Sequence, residues 1–267
     1  MKENDGTECW ESMRRVDLNC DMGESFGAYS LGQDETIMRH ISSANIACGF
    51  HAGDPGTIRS TVKLAISCGT SIGAHPGLPD LAGFGRRRMD ISPREAYEMT
   101  VYQLGAVQAF VRSEGASLAH VKPHGALYNM AAQNEALAEA IAEAVYKVDG
   151  GLLLYGLAGS ALIRAAERIG LIGVHEVFAD RSYESDGSLT GRSLPGAVIH
   201  DSEAAAVRAV DMILSGEVIS RQGTPVALQA DTVCVHGDTP DAYKHVMALR
   251  SALAAANIEV GAPGGRM

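Results

Sequence analysis

HVKPHGALYN, residues 120–129, is the stretch on which the architecture of this chain turns. It follows a short apolar segment, residues 116–119, and that segment with Val121 predicts a strand whose carboxyl end carries the polar groups. In parallel α/β proteins that end is where chemistry is done. A strand alternates its faces, which predicts His120, Lys122 and His124 on one side and Val121 on the other. Three basic groups on one short face are poor core material, because burying charge without a partner is costly. They require carboxylates, a metal or an anionic ligand brought from elsewhere in the chain.

The same order of strand, polar loop and helix recurs on both sides of this stretch. Residues 14–20 read as a strand running into DMGESFG, and residues 42–48 as a second ending in CGFHAGDP, where Asp54 is an N-cap and Pro55 the first helical residue. Residues 70–74 form a third, followed by HPGLPD and GFGRRR. Ser92 and Glu95 then frame a capping box that opens a long amphipathic helix. After the opening stretch, a helix is expected from about residue 134 to 148. Strands follow at 152–155 (then GLAGS), 172–178 (within HEVFADRSY) and 231–235 (then HGDTP), with helices at 201–215 and up to about 255. A less regular part includes residues 187–196 and 225–229. Strands alternating with helices imply a parallel sheet, and seven or so units with polar strand-end loops favour a barrel. The expected organisation is a disordered extension over residues 1–13, one barrel domain over 14–260 and a flexible tail over 261–267.

Composition narrows the function. A chain of 267 residues suits one α/β barrel, which takes about 250. With 46% hydrophobic but only 5% aromatic residues, its core must be built from Ala, Leu, Ile and Val. A formal charge of −10 argues against a nucleic-acid surface but leaves room for an anionic substrate held by local arginines. Cysteines at 9, 20, 48, 68 and 234 form no CxxC pair, which reads as reduced cytosolic thiols. No apolar run approaches the ~20 residues of a membrane span, and the polar start lacks a signal-peptide core. A cytoplasmic location is expected, with no membrane or nucleic-acid partner.

Chemistry-bearing residues cluster at the predicted strand ends. Asp17, Asn19, Asp21 and Glu24 could crowd around one mouth and supply a general acid and base, although such residues also make ordinary turns. GESFG at 23–27 matches a nucleophile elbow, but no helical pattern begins before about Asp34, so Ser25 is discounted. His51, His75, His120, His124 and His236 all sit at predicted strand ends. With Asp21 they could bind a divalent metal, since imidazole and carboxylate suit zinc, manganese and iron alike; no HExxH motif accompanies them. Arg86 and Arg87, and the turn at 156–160, are candidate anion sites. No P-loop is present.

The segments DLNCDMGESFG, NIACGFHAGDP, GAHPGLPDLAGFGRR, HVKPHGALYN, EVFADRSY and VHGDTP, in that order, resemble the LamB/YcsF family over about residues 15–260. The resemblance implies a distorted seven-stranded (β/α) barrel of the glycoside hydrolase/deacetylase type. It implies the A subunit of an ATP-dependent 5-oxoprolinase, which opens the lactam of 5-oxo-L-proline to L-glutamate using ATP, with Mg as the nucleotide complex, together with B and C subunits. Related metal-dependent deacetylases carry two adjacent acids after the first strand, whereas here Met22 follows Asp21. Residue type and position, rather than the family name, suggest the roles. Asp21 or His51 would be the base on water, His124 the acid on the leaving nitrogen and Lys122 the neutraliser of oxygen charge. Arg87 would hold the substrate carboxylate, and Asn19, Glu24, His75, Arg86, His120, Asp180, Arg181, His236 and Asp238 are further substrate-binding candidates. A homo-oligomer is compatible with this reading. The rival readings are a metal-dependent amide or N-acetyl hydrolase and a non-catalytic protein that only binds the lactam.

Overall fold

Seven parallel strands close into a barrel. In the computed structural model, which describes residues 14–235 and 241–264, six of them come first. They are β1 (Arg15–Met22), β2 (Ser43–Ala47), β3 (Ser71–His75), β4 (His120–Val121), β5 (Leu153–Leu157) and β6 (Ile172–Phe178). A small antiparallel ribbon, β7 (Glu217–Ile219) with β8 (Pro225–Ala227), precedes β9 (Thr232–Val235). Strand β9 pairs with both β6 and β1 and so closes the ring, while β10 (Glu259–Val260) pairs with the start of β1. The helices are α1 (Asp34–Ile37), α2 (Pro55–Cys68), α3 (Pro93–Ser113), α4 (Gly125–Gln133), α5 (Glu135–Val148), α6 (Ala161–Ile169), α7 (Ser202–Ser215) and α8 (Ala242–Ala255). The distorted seven-stranded (β/α) barrel expected above is the fold. The expected extension over 1–13, the HGDTP turn over 236–240 and the last three residues lie outside the described residues.

Local chemistry sets the helix ends. Asp54 accepts from the Thr57 amide and Pro55 occupies the first turn of α2, while Ser92 and Glu95 bond reciprocally at the start of α3. One expectation needs correction. Strand β4 has two residues rather than six, and the segment after it is helix α4, not loop. Gly125, at φ +52, turns the chain out of the strand and directly into that helix. Asn134, whose side chain accepts from the Leu137 amide, restarts the chain as α5.

Parallel strands covered by helices are buried on both faces, and every residue of β2, β5 and β9 is buried. The main apolar layer lies between strands and helices, with Leu18, Ile46, Val121 and Val177 at 0% exposure. Burying each such side chain contributes on the order of 1.5–3 kcal/mol. Inside the barrel, Leu153, Tyr155 and Val174 form a small apolar group with Ile172 against it. Among the described residues, much of the interior around it is polar. His120 on β4 reaches over β3 to hydrogen-bond Asn45 on β2, with Nε2 donating to Oδ1 at 2.8 Å. It can do so because the residue paired with it on β3 is Gly73.

A methyl group at Gly73 would sit 2.1 Å from His120 Nε2, and that ring is also stacked on Tyr155 at 4.3 Å between centroids. Gly73→Ala is therefore expected to destabilise the fold by at least the ~1–3 kcal/mol of an overpacked core. Chemical denaturation of the variant checks this, and an unchanged midpoint would show that the interior can yield.

Candidate active site

The interior polar residues are layered from the bottom of the barrel to its carboxyl-end mouth. At the bottom, Asp17 is buried and accepts hydrogen bonds from Ser42 and Ser43 on one oxygen and from Tyr155 and Thr232 on the other, at 2.6–3.1 Å. Burial raises its pKa, and the four hydroxyl donors oppose the rise. Strand β1 continues to Met22, so Asp17 lies two inward positions below Asp21 and does not reach the mouth.

The middle layer is built around Lys122, which is 3% exposed. Its Nζ lies 2.8 Å from Glu176 Oε1 and 3.1 Å from Asp21 Oδ1, and it also donates to Asn19 Oδ1 at 3.0 Å. Burial opposes the charge, but Asp21, Cys234 and Glu176 outweigh it and hold the ammonium protonated well above the usual lysine range. Asn19 and Asn45 complete the lattice. Asn19 donates to Glu176 and Thr232, and Asn45 donates to Asn19 and to Asp21 Oδ1. Burial also opposes the charge of Asp21, yet His75 and Lys122 bring its pKa well below the usual carboxylate range.

Three imidazoles and Glu24 form the top layer. His75 Nε2 lies 2.9 Å from His124 Nδ1 and 3.2 Å from Asp21 Oδ2. The far nitrogens of both rings face backbone carbonyls, His75 Nδ1 that of Lys122 at 2.7 Å and His124 Nε2 that of Phe84 at 2.8 Å. His51 stacks on His124 with centroids 3.8 Å apart, and its Nε2 is 3.4 Å from Glu24 Oε1. Burial first, then the neighbouring histidines, pushes His51 well below the usual imidazole range and His124 down to about 3. Both rings are neutral at pH 7. Glu24, His51, His75 and His124 place one donor atom each within 4.8 Å of one another, a spacing that could hold a metal ion.

The GFG loop covers this layer. Phe84, in the left-handed region at φ +54, sets its ring edge-on to His51 and His124. Gly85 passes so close that a Cβ there would be 2.7 Å from the His51 Cβ, and its carbonyl accepts from Ala126 at the start of α4. The residues between β3 and α3 are thus tied to the residues after β4.

A cavity of about 1620 Å³ opens from this layer, with Asp21, His75, Lys122, His124, Arg86 and Arg181 among the residues on its wall. Ser160, the N-cap of α6 at the end of the GLAGS turn, also borders it. Arg181 is buried, donates to the Thr190 carbonyl at 2.6 Å, and burial lowers its pKa to about 10. The remaining candidates sit elsewhere. Asn19 and His120 lie below the wall in the barrel interior, and Glu24 and His51 stand behind the His124 ring. Arg87 is engaged with Asp80 and lies off the cavity wall, so of the two arginines it is Arg86 that faces the cavity. Asp180 borders a separate cavity of about 310 Å³. His236 and Asp238 lie outside the described residues. Asn45 and Glu176 are among the members of the network that escaped the sequence reading. The signal for Glu176 was available, since it lies in phase with Val174 and Phe178 on one face of β6.

This geometry defines a (β/α) barrel with a buried ionisable cluster at the carboxyl ends of its strands. The chain belongs to the LamB/YcsF family, whose profile matches residues 16–266. It is 58% identical over 250 residues to the 5-oxoprolinase A subunit of Brevibacillus brevis, covering 94% of this chain and 98% of that protein. It is equally similar to the 5-oxoprolinase A subunit of Bacillus subtilis, with 58% identity over 94% of this chain and 97% of that one. The crystal structure of a lactam utilization protein from Thermus thermophilus superposes with a TM-score of 0.88 at 49% identity, covering 93% of this chain and all of that one. Among the described residues, no helix is long and apolar enough to cross a membrane.

The buried His120 couples stability to pH. Its pKa is lowered to about 3 by burial, then by Lys122 and His75, so the unfolded chain takes up this proton near 6.5 and the folded chain only near 3. Between those values the unfolded state binds more protons, so stability falls as pH falls, by about 1.4 kcal/mol per unit from this residue. In His120→Gln, whose amide can still donate to Asn45, the dependence of unfolding free energy on pH across that window should be shallower. Identical slopes would assign the acid sensitivity to other groups.

Proposed function

We propose that this chain is the A subunit of an ATP-dependent 5-oxoprolinase, opening 5-oxo-L-proline to L-glutamate with ATP and Mg in a complex with B and C subunits. The observation that carries the reading is the buried Lys122–Asp21 pair on the cavity wall. The 58% identity to proteins named as 5-oxoprolinase A subunits, over nearly the full length of both chains, supports it.

A lactam is a poor electrophile, and phosphoryl transfer from ATP to its oxygen makes C5 reactive. Water then adds at C5. Cleavage of the C–N bond frees the amine and leaves an acyl phosphate, which a second water converts to carboxylate and phosphate. Lys122 stays protonated in the pocket, so it neutralises charge on the lactam oxygen before and after it carries phosphate. Asp21 binds Lys122 and Asn45 through Oδ1, leaving Oδ2 toward His75 and the cavity to take the proton of water and return it to nitrogen. A carboxylate of low pKa is a weak base, but an activated lactam demands little of its base. His124 is neutral near pH 7, so in this scheme the acid role passes from it to Asp21. Arg86 and Arg181 on the wall suit the substrate carboxylate, and the amino end of α6 at Ser160 suits a phosphate. A reaction that consumes ATP fits a cytoplasmic location.

Asp21→Asn should fold yet lower turnover of the assembled complex by at least ~10²-fold, the usual scale for a lost general base. Normal glutamate release from a folded Asp21→Asn complex would remove Asp21 from the chemistry. The isolated chain, given ATP and Mg, should release negligible glutamate until B and C subunits are added. Robust ATP-dependent turnover without them would refute the partner requirement, and release without ATP would favour a metal-dependent amide hydrolase instead.

A further inference from the structure

We propose that Glu24, His51, His75 and His124 form a binding site for one divalent transition-metal ion at the cavity wall. The ring tautomers are fixed by their outer partners. A backbone carbonyl can only accept, so the 2.7 Å contact of His75 Nδ1 with the Lys122 carbonyl places the ring proton on Nδ1. The 2.8 Å contact of His124 Nε2 with the Phe84 carbonyl likewise places that ring's proton on Nε2. In neutral rings the two remaining nitrogens, His75 Nε2 and His124 Nδ1, are both bare lone pairs, and they face each other at 2.9 Å. Glu24 Oε1, 3.6 Å from His124 Nδ1, and Asp21 Oδ2, 3.2 Å from His75 Nε2, add only further acceptors. His51 makes no hydrogen bond through either ring nitrogen, and its Nε2 is turned to the same Glu24 oxygen at 3.4 Å. With each of these two rings carrying only its outer proton, His75 Nε2, His124 Nδ1 and the two carboxylate oxygens converge with no hydrogen between them, and a cation at their centre turns that repulsion into ligation.

The spacing fits an ion. Ligands bound at about 2.0–2.2 Å lie about 3.0–3.5 Å from one another in octahedral or tetrahedral geometry. The nearest contacts in this group, 2.9, 3.4 and 3.6 Å, span that range. Ligating histidines also hand their outer N–H to a carbonyl or carboxylate, which fixes the ring, as His75 and His124 do here. Three imidazoles with one carboxylate suit zinc, manganese, iron or cobalt and not the all-oxygen preference of magnesium or calcium. The site is therefore distinct from the magnesium that accompanies ATP. When bound, such an ion supplies a Lewis acid beside the wall that His75, His124, Asp21 and Lys122 share. The competing occupant is a single proton shared between His75 and His124.

The test reads binding rather than turnover, so it stands or falls separately from the lactam reaction. The full chain is stripped with a chelator, its fold is checked by circular dichroism, and it is dialysed against Zn(II), Mn(II), Co(II) or Mg(II). One ion per chain should be retained from at least one of the first three, and none from Mg(II). His124→Gln and Glu24→Gln should each weaken retention by at least ~10-fold. Should a variant fail to fold, histidine nitrogen NMR of the wild-type chain replaces it, with His75 Nε2 and His124 Nδ1 shifting on metal addition. A folded wild-type chain that retains no transition ion overturns the proposal, as does retention undiminished in both variants. An imidazolium signal from His75 or His124 that is unmoved by metal overturns it as well, and establishes the shared proton.

Discussion

A lysine ammonium enclosed in a barrel is the constraint to which the rest of the site conforms. Lys122 is 3% exposed, and an ion that far from water survives only with opposite charge and hydrogen-bond acceptors close by. The barrel meets the demand from three directions, with Asp21 from β1, Glu176 from β6 and the Asn19 amide oxygen between them. Because Asp21 and Glu176 lie on strands that neither neighbour β4 nor each other, the network requires the barrel to be closed. Removing the fully buried Glu176 carboxylate would leave the ammonium under-compensated, and breaking such a pair is strongly destabilising, typically by ~3–5 kcal/mol.

Stability and specificity are therefore divided between two layers. The apolar shell between strands and helices, with Leu18, Ile46, Leu104 and Leu154 fully buried, supplies the hydrophobic driving force. The interior of the barrel supplies little of it. There, Asp17, Asn19, Asn45, His120 and Lys122 hold one another in register through bonds that cross from strand to strand. Hydrogen bonds that cross from strand to strand rigidify what they link, and that rigidity presents Asp21 and Lys122 to the cavity in one arrangement. The Gly73 position shows how tight the fit is, since one absent side chain gives the His120 ring its place.

Much of the architecture was legible because parallel barrels repeat one local pattern. The strand over 172–178 has the predicted bounds, the α3 capping box forms as Ser92 and Glu95 foretold, and Asp54 with Pro55 starts α2. The misreading fell at HVKPHGALYN. A proline, a histidine and a glycine in succession read as loop, yet Gly125 at φ +52 delivers the chain into α4 within one residue. Turn chemistry and helix entry use the same residues, and one-dimensional patterns cannot separate them.

The sequence already placed Asp21 and Lys122 at strand ends, and strand alternation set Lys122 on one side with His120 and His124. Composition and periodicity likewise determined a parallel α/β barrel with an aliphatic core. Partnership was a different matter. Whether Arg86 or Arg87 faces the cavity, whether His120 borders it or lies beneath it, and which acids meet Lys122 depended on closure of the ring. Asn19 and Glu176 are 157 positions apart, and only the β9 strand between them brings their side chains to 2.9 Å. Local propensity acts over a few residues, whereas charge pairing and ligand geometry act across the barrel, so only the tertiary structure decided them.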